Sequence, residues 1–498
     1  MGIVIRQSFW NSVWSYLGVG IGFINTLILR PAFFTESEIG IVSVVTSNAL
    51  MLAPFLTLGM PNTYMRVFPE LREQPQLESK ILSLQFVLIL IANLIFSVIV
   101  FFTIDWIKAI YIDESPEYNQ YIFVSLLIMI LFSLFMQMHA FSRSKLNVII
   151  PAFLKEAFLR LGNVVLILLF MWKYITFSEM IYYLILSYFV ACVILAIYIF
   201  KEQKIRLSAD IFSIPREWLQ KLYKYGSFNL MMAGCNSIYA NIGSAMIPAI
   251  LGAAANGVFS ICLYIGIIIE MPKRSMLQII TPILGKEFQN NNLKEVDNLY
   301  KKASLSLGVI GLLFFIGVVC NLRDLFSLIP NGETYSTGFY VVVWIALAKI
   351  IDMLFSFNSE LIYYTKYYKY NLYFFLTISV IIISLNYYLI PEMGIDGAAI
   401  SFIISTILFN GIKFIFIKMK FGMIPFTTKH IPLFMFALIT FGIFWYLPIS
   451  DSALFNIIVR SIAITVVFMS LVYMAGISDD INRLIKTNFK KYLNIHLP

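Results

Sequence analysis

Long apolar runs alternate with short polar connections along almost the whole chain. Each run is close to the twenty residues that an α-helix needs to cross the hydrocarbon core of a bilayer. The pattern predicts about fourteen membrane-spanning helices, numbered here as spans one to fourteen. Their predicted boundaries are 9–29, 38–60, 81–104, 119–142, 150–172, 178–200, 225–249, 254–282, 303–321, 338–360, 371–390, 395–417, 431–448 and 454–476.

Span two is predicted to be kinked and sharply bounded. Pro54 interrupts its second half, and Gly59 and Pro61 mark its end. Backbone groups freed by a proline inside a membrane need a partner from a neighbouring helix, a hydroxyl group or water. The kink therefore fits the wall of a cavity, and it fits simple helix packing equally well.

The composition supports an all-α integral membrane protein. Of the 498 residues, 60% are hydrophobic and 13% are charged, and the mean hydropathy is +0.84. Soluble domains carry about 25% charged residues. The net charge of +9 is spread over short loops, so no nucleic acid is expected as a partner. The four cysteines lie far apart in apolar runs, and we expect neither a metal nor a cofactor.

The distribution of basic residues predicts the orientation. An even number of spans places both termini on one side, and Lys and Arg are enriched in cytoplasmic loops. With the termini in the cytoplasm, 28 of the 36 Lys and Arg residues lie in or beside cytoplasmic segments. Four lie outside: Arg30, Lys108, Lys173 and Arg323. The N-terminus has no signal-peptide pattern, so we expect the first span to be retained.

A weak internal repeat divides the chain into two halves. The segment Ser37–Val45 resembles a segment within Leu251–Gly266, and the match aligns Gly40 with Gly257. The predicted organisation is two six-helix bundles followed by two extra helices and a tail. The first bundle is 1–200 and the second is 225–420, and a cytoplasmic linker, 201–224, joins them. Helices thirteen and fourteen lie in 421–476, and the cytoplasmic tail is 477–498.

The linker and the tail each contain an amphipathic pattern. Between Asp210 and Gly226, apolar positions including Trp218 and Leu222 share one helical face, and basic residues share another. The tail after Ser478 repeats this arrangement. Both segments are predicted to be interfacial helices on an acidic leaflet, although charged, solvated faces flanking the spans would give the same pattern.

Charged residues inside the predicted spans are the strongest candidates for function. A charge near the bilayer centre costs at least roughly 2.5–3.5 kcal/mol on insertion scales, so such a residue needs water or a partner. Lys273 and Arg274 follow Pro272 in span eight, and Lys349 and Asp352 share a helical face in span ten. Lys349 and Asp352 are therefore predicted to be a charge pair, which serves either ion coupling or simple neutralisation.

Polar residues in span seven are candidates for binding a neutral polar ligand. Asn229, Asn236 and Asn241 lie close to one stripe at helical spacing. Such residues also join helices by hydrogen bonds within membranes. Arg460 and Glu360 lie close to helix ends, and we expect their side chains to extend to the interface.

Three stretches carry a resemblance to a known family. They are FFTESEIGIVSVV with LGMPNTYMRVFPELR, KYGSFNLMMAGCNSIYANIGSAMIPAILGAAANGVFSICLYIG, and GIDGAAISFIISTILFNGIKF. With the layout of the spans, they resemble the polysaccharide-exporter branch of the multidrug, oligosaccharidyl-lipid and polysaccharide (MOP) superfamily, and especially Wzx-like flippases of O-antigen, capsule or teichuronic-acid repeat units.

The resemblance implies a fold, a cargo and a location. It implies two bundles around a central cavity that open alternately to the two sides of a bacterial cytoplasmic membrane. The implied substrate is a polyprenyl-diphosphate-linked oligosaccharide, and other membrane proteins of polysaccharide assembly are possible partners besides membrane lipid. In such flippases cavity-facing arginines lie inside spans one, two and eight. Here Lys273 and Arg274 match span eight, whereas Arg30 and Arg66 lie only at the ends of spans one and two.

Two other classes of function remain open from the sequence. A drug or cation antiporter with the same fold would be favoured by acidic residues deep in the first bundle, where Glu156 is the one candidate. A polysaccharide polymerase would need a large external loop with catalytic groups. The longest predicted external connections, 105–118 and 322–337, are about fifteen residues each, and the sequence has no phosphate-binding GxxxxGK[ST] loop. We therefore expect a transporter and not an enzyme.

Overall fold

The computed structural model describes residues 2–202, 207–445, 450–478 and 482–483. Within these ranges the regular structure is helical and no β-strand is present. Ten of the described helices or helical runs are long and apolar enough to cross a membrane. The other predicted spans are helical too, but they are shorter, interrupted or more polar. The prediction of an all-α, multi-pass membrane protein is confirmed.

The chain forms two compact units. Unit 1 comprises residues 1–260 and 386–394, and unit 2 comprises residues 261–385 and 395–498. The units are defined by which residues pack together. The boundary between residues 260 and 261 lies within span eight and not at the predicted linker 201–224. The division into two bundles at that linker stays a prediction.

Eleven helices begin in unit 1. They are α1 (Gly2–Phe23), α2 (Arg30–Phe33), α3 (Glu36–Leu56), α4 (Met60–Leu71), α5 (Pro75–Tyr111), α6 (Ile122–Ser144), α7 (Ile149–Phe153), α8 (Leu159–Met171), α9 (Phe177–Lys201), α10 (Arg216–Ile250) and α11 (Ala253–Ile267), which continues into unit 2.

Ten more helices begin within the described residues of unit 2. They are α12 (Met271–Gln289), α13 (Leu293–Cys320), α14 (Leu322–Leu328), α15 (Gly332–Ser336), α16 (Phe339–Leu354), α17 (Asn358–Tyr363), α18 (Tyr370–Met393), α19 (Ile395–Phe421), α20 (His430–Phe444) and α21 (Ala453–Met474).

Span two has the sharp boundaries that the sequence predicts. Thr35 caps the start of α3 through a reciprocal capping box with Glu38. Pro54 lies in the last turn of α3, and the chain breaks between α3 and α4 at Gly59, where φ is +69°. Glycine adopts this left-handed conformation without the steric cost of a Cβ. The predicted interruption of span two is therefore present, with α4 continuing beyond it.

Spans one and five contain π-helical turns at Ile24–Leu29 and Leu154–Phe158. A π-turn inserts an extra residue and leaves backbone groups out of the regular ladder. At Gly18, a Cβ would lie 2.3 Å from the backbone oxygen of Glu156. Glycine at this position therefore lets α1 approach the widened turn of span five directly.

The linker helix differs from its prediction in one respect. It begins at Arg216, but it continues without a break into span seven as the single helix α10. Leu222 is buried against Val67 and Leu71 of α4, while Tyr223 is exposed. Part of the α10 face that was predicted to contact lipid therefore packs against α4 instead. The corresponding prediction for the tail lies almost entirely outside the described residues.

Arg460 does not extend to the interface as predicted. Its side chain is buried in unit 2, where Nη1 lies 2.5 Å from Asp324 Oδ2 and donates to Cys320 O and Asn321 Oδ1 at 3.1 Å. This contact joins α21 to the junction between α13 and α14. The correction has a simple cause: Asp324, on another helix, provides a carboxylate partner for the guanidinium group.

The orientation can be tested by thiol labelling, because the predicted outside and inside loops contain exposed residues. Cysteines introduced at Asp113 and Ser336 should react with an impermeant maleimide in intact cells, whereas cysteines at Glu73 and Asn291 should react only after permeabilisation. The native cysteines are all buried, so the parent protein is the background control. Labelling of Glu73→Cys in intact cells would reverse the orientation.

Candidate functional site

Span eight is broken at Glu270, the first of its charged residues. Helix α11 ends at Ile267, a 3₁₀ turn covers Ile268–Glu270, and α12 starts at Met271. Pro272 lies in the first turn of α12, where a residue without an N–H is tolerated. Lys273 and Arg274 therefore extend from the first turn of a new helix and not from the middle of a regular one.

Span ten is broken as well. Helix α16 ends at Leu354, and the buried residue Ser356 has a φ of +54° before α17 begins at Asn358. A non-glycine residue in this region is uncommon and carries some backbone strain. Lys349 and Asp352 lie in the last turns of α16, directly before the break. In membranes, interrupted helices are typical of transporter binding sites.

The two breaks bring charged residues of unit 2 together. Lys273 Nζ lies 2.5 Å from Asp352 Oδ2 and also donates to the backbone oxygen of Asp352 at 2.9 Å. Lys349 donates to Glu270 Oε2, and its ammonium lies 5.1 Å from the ring centroid of Phe402. Each lysine is thus neutralised by a carboxylate on the other broken span.

This arrangement corrects the predicted Lys349–Asp352 pair. The two residues are three positions apart on α16, but each finds its ionic partner on span eight: Glu270 for Lys349 and Lys273 for Asp352. Pairs between helices are better buried than neighbours on one helix face. The sequence identified three of these four residues and missed Glu270, although a Glu four residues before an Arg was a visible signal.

Arg274 is held far more loosely than the two lysines. Its side chain is 65% exposed, whereas those of Lys273 and Lys349 are 11% and 15% exposed. Its Nε donates to Glu270 Oε1 at 3.3 Å, and Glu270 lies four positions earlier on the chain. The outer edge of its guanidinium group is therefore available to a ligand.

Lys413 was not among the predicted site residues. It lies on α19 and is only 2% exposed, and its Nζ donates to Ser359 Oγ at 2.6 Å. The ammonium also lies 3.2 Å from the centroid of Phe409, a cation–π contact that partly replaces hydration. Asn410, three residues earlier, donates to Asp352 Oδ1 at 3.2 Å. The signal that was overlooked is a single lysine inside the apolar run of span twelve.

These residues form a basic cluster, defined here as Glu270, Lys273, Arg274, Lys349, Asp352 and Lys413. Four cations face two carboxylates, and both oxygens of each carboxylate accept contacts within the cluster or from Asn410. Glu360 also interacts electrostatically with Lys413. The cluster is suited to an anion and offers no unoccupied carboxylate to a cation.

The two arginines predicted at the ends of spans one and two lie in unit 1. The Arg66 guanidinium carbon lies 4.1 Å from the ring centroid of Tyr225 on α10, which is a cation–π contact. Arg30 is the first residue of α2, directly after the π-turn of span one.

The three asparagines of span seven have different surroundings. Asn229 Nδ2 donates to Thr63 Oγ1 at 3.0 Å and so joins α10 to α4. Asn241 Nδ2 donates to Ser237 O at 2.9 Å, within its own helix. The side chain of Asn236 is exposed. A role for these residues in binding a sugar stays a prediction.

Several solved structures share this fold. No protein-family model and no curated protein matches the chain. The lipid II flippase MurJ in an inward closed conformation is 13% identical, with a TM-score of 0.74 over 94% of this chain and 99% of that one. An inward-facing multidrug resistance MATE family transporter of the MOP superfamily is 15% identical, with a TM-score of 0.64 over 84% and 98%.

A third similar structure is a MOP superfamily transporter from Pyrococcus furiosus that is described as having a binding pocket of reverse polarity. It is 13% identical, with a TM-score of 0.60 over 84% of this chain and 95% of that one. Identities this low establish the architecture and leave the cargo open. The chain has the fold of the MOP superfamily transporters.

Proposed function

We propose that this protein is a flippase that moves a polyprenyl-diphosphate-linked oligosaccharide from the cytoplasmic to the outer leaflet by alternating access. The observation that carries the proposal is the basic cluster on the two broken spans of unit 2. Its basic side chains and the exposed guanidinium group of Arg274 favour an anionic headgroup. The cargo would serve surface polysaccharide assembly in a bacterial cytoplasmic membrane, alongside other membrane proteins of that process.

The position of the cations at a helix start supports an anionic ligand. Lys273 and Arg274 lie in the first turn of α12, where the helix dipole already contributes partial positive charge. Two cations at this end are locally unfavourable, and an anion bound there would interact favourably with both the side chains and the dipole. An arginine also matches a phosphate group with two parallel hydrogen bonds.

The choice of a lipid-linked cargo rests on additional support. One of the similar structures is named a lipid II flippase, and large apolar side chains are exposed along many of the predicted spans. The two carboxylates of the basic cluster in unit 2 and Glu156 in unit 1, which the sequence offered as the antiporter candidate, all have ionic partners. In unit 1, Glu156 pairs with Lys155 at 3.5 Å and with Arg160 at 3.8 Å. These contacts favour the flippase over the cation antiporter.

Reconstitution tests the proposal directly. Proteoliposomes would carry a fluorescently labelled polyprenyl diphosphate sugar, and a membrane-impermeant quencher would report its arrival in the outer leaflet. We expect faster translocation with the protein than with empty liposomes, and a return toward the empty rate with Arg274→Ala. Transport of an organic cation such as ethidium, without movement of the labelled lipid, would instead establish the antiporter.

A further inference from the structure

A cavity of about 410 Å³ lies at the turn between spans five and six, on the predicted outer side of unit 1. Helix α8 ends at Met171 and α9 begins at Phe177, and Phe33, the last residue of α2, also lines the cavity. Sites for small molecules typically occupy about 300–1,000 Å³. The lining includes three aromatic and three polar residues: Phe33, Phe170, Tyr174, Lys173, Thr176 and Glu179. We call this cavity the outer aromatic pocket.

The aromatic residues of the pocket combine exposed rings with a packed support. Phe33 and Tyr174 are 37% and 76% exposed. Phe170 packs against the buried residue Phe34, with 5.0 Å between the ring centroids. Exposed aromatic residues also form the belts of membrane proteins at the interface. Here they line one concave space, which a position in such a belt does not require.

The backbone of the turn is fixed by hydrogen bonds at the end of α8. The N–H groups of Lys173 and Tyr174 donate to Phe170 O and Leu169 O at 2.9 and 3.0 Å, which is the Schellman arrangement. Lys173 has a φ of +60°, at the position where this motif usually has glycine. A lysine has a steric cost there that glycine avoids. A cationic side chain is thus present at the pocket in spite of the local backbone preference.

The two charged groups of the pocket do not pair with each other. Glu179 Oε2 accepts hydrogen bonds from Thr176 N and Oγ1 at 2.7 and 2.8 Å, in the capping box at the start of α9. Lys173 forms no salt bridge within the part of the chain that the structure describes. The pocket therefore contains one cation and one carboxylate on separate supports. The carboxylate would repel an anionic ligand, and the lysine would repel a cationic one.

From these features we propose that the outer aromatic pocket binds a neutral sugar ring. Hydroxyl groups both donate and accept hydrogen bonds, so a sugar can satisfy the carboxylate of Glu179 and the ammonium group of Lys173 together. The C–H face of a sugar is weakly positive and packs on the negative face of an aromatic ring. The inference rests on the proposed function for its biological meaning, because the pocket lies on the side where the oligosaccharide would arrive.

Saturation-transfer NMR tests the pocket with soluble sugars and without transport. The probes are lactose, cellobiose and N,N′-diacetylchitobiose, added to the full-length protein in a detergent that has no sugar headgroup. We expect saturation transfer to the C–H protons of at least one disaccharide. Tyr174→Ala and Lys173→Gly should each weaken its binding at least about fivefold, since each removes a contact to the sugar. Glycine also suits the left-handed backbone at Lys173, so a loss of binding in Lys173→Gly would not result from unfolding.

The matched control is Tyr223→Ala, because Tyr223 is 79% exposed on α10 and does not line the pocket. Equal saturation transfer in the parent protein and in all three variants, or none in the parent, would overturn the proposal. Binding of a short-chain phosphatidylethanolamine in place of the disaccharides would also overturn it, since this zwitterion matches the same two charges. Sugar binding without movement of the labelled lipid in proteoliposomes would keep the pocket and refute the flippase, and lipid movement without sugar binding would do the reverse.

Discussion

Arg274→Ala is expected to lower flippase activity by about 10- to 150-fold while leaving the amount of folded protein unchanged. A hydrogen bond to a charged group contributes about 1.5–3 kcal/mol, which corresponds to this range of rates. The structural cost should be small, because Arg274 is 65% exposed and pairs with Glu270, four positions earlier in span eight. Exposed pairs of this spacing contribute only about 0.3–0.5 kcal/mol to stability.

Lys273 provides the contrast, because it is buried and paired with Asp352. Removing one partner of a buried pair costs about 3–5 kcal/mol, and the 29% exposure of the Asp352 side chain favours the lower end. We therefore expect Lys273→Ala to reduce both activity and folded protein. The double variant Lys273→Met with Asp352→Asn should restore much of the stability, since no buried charge is left unpaired.

The rate of lipid translocation, divided by the amount of folded protein, separates a residue that binds the ligand from a residue that only stabilises the fold. Fluorescence-detected size-exclusion chromatography gives the amount of folded protein, and the liposome assay gives translocation. Arg274→Lys keeps the charge but loses the planar geometry, so it should be intermediate. If Arg274→Ala lost folded protein in proportion to activity, Arg274 would be a structural residue and not a ligand.

The second large effect is expected for stability at Arg460. Arg460→Met leaves Asp324 and Asn321 without their buried cation, and breaking such a buried pair costs about 3–5 kcal/mol. We expect a clear fall in the thermal midpoint of the detergent-solubilised protein, because α21 loses its charged link to the junction between α13 and α14 and keeps only the Asn321–Ser461 and Asn456–Asp324 hydrogen bonds among the described residues.

Two further variants make this prediction specific. Lys301→Met removes a pair with Asp297 that is four positions away and only partly buried, so it should cost about 0.3–0.5 kcal/mol. Arg460→Met combined with Asp324→Asn should recover part of the lost stability. A midpoint for Arg460→Met equal to that of Lys301→Met would mean that the buried pair contributes no net stability.

The sequence by itself determined the membrane class, the approximate spans and the interruption of span two. These features are local: the length of an apolar run is set by the thickness of the bilayer, and Gly59 and Pro61 act on the backbone of their own segment. The candidate residues Lys273, Arg274, Lys349 and Asp352 also emerged from the sequence, since a charge in an apolar run is visible without a fold.

Only the tertiary structure decided which charges pair. Lys349 and Asp352 looked like partners on one helix face, but the breaks in spans eight and ten bring Glu270 and Lys273 nearer. Arg460 was predicted to reach the interface and Lys413 was not singled out, yet both side chains are buried. The helical pattern in a sequence gives the direction in which a side chain points from the helix axis. Which residue becomes the ionic partner of that side chain depends on the distances to other helices. Those distances are set by backbone packing, which the sequence pattern does not contain.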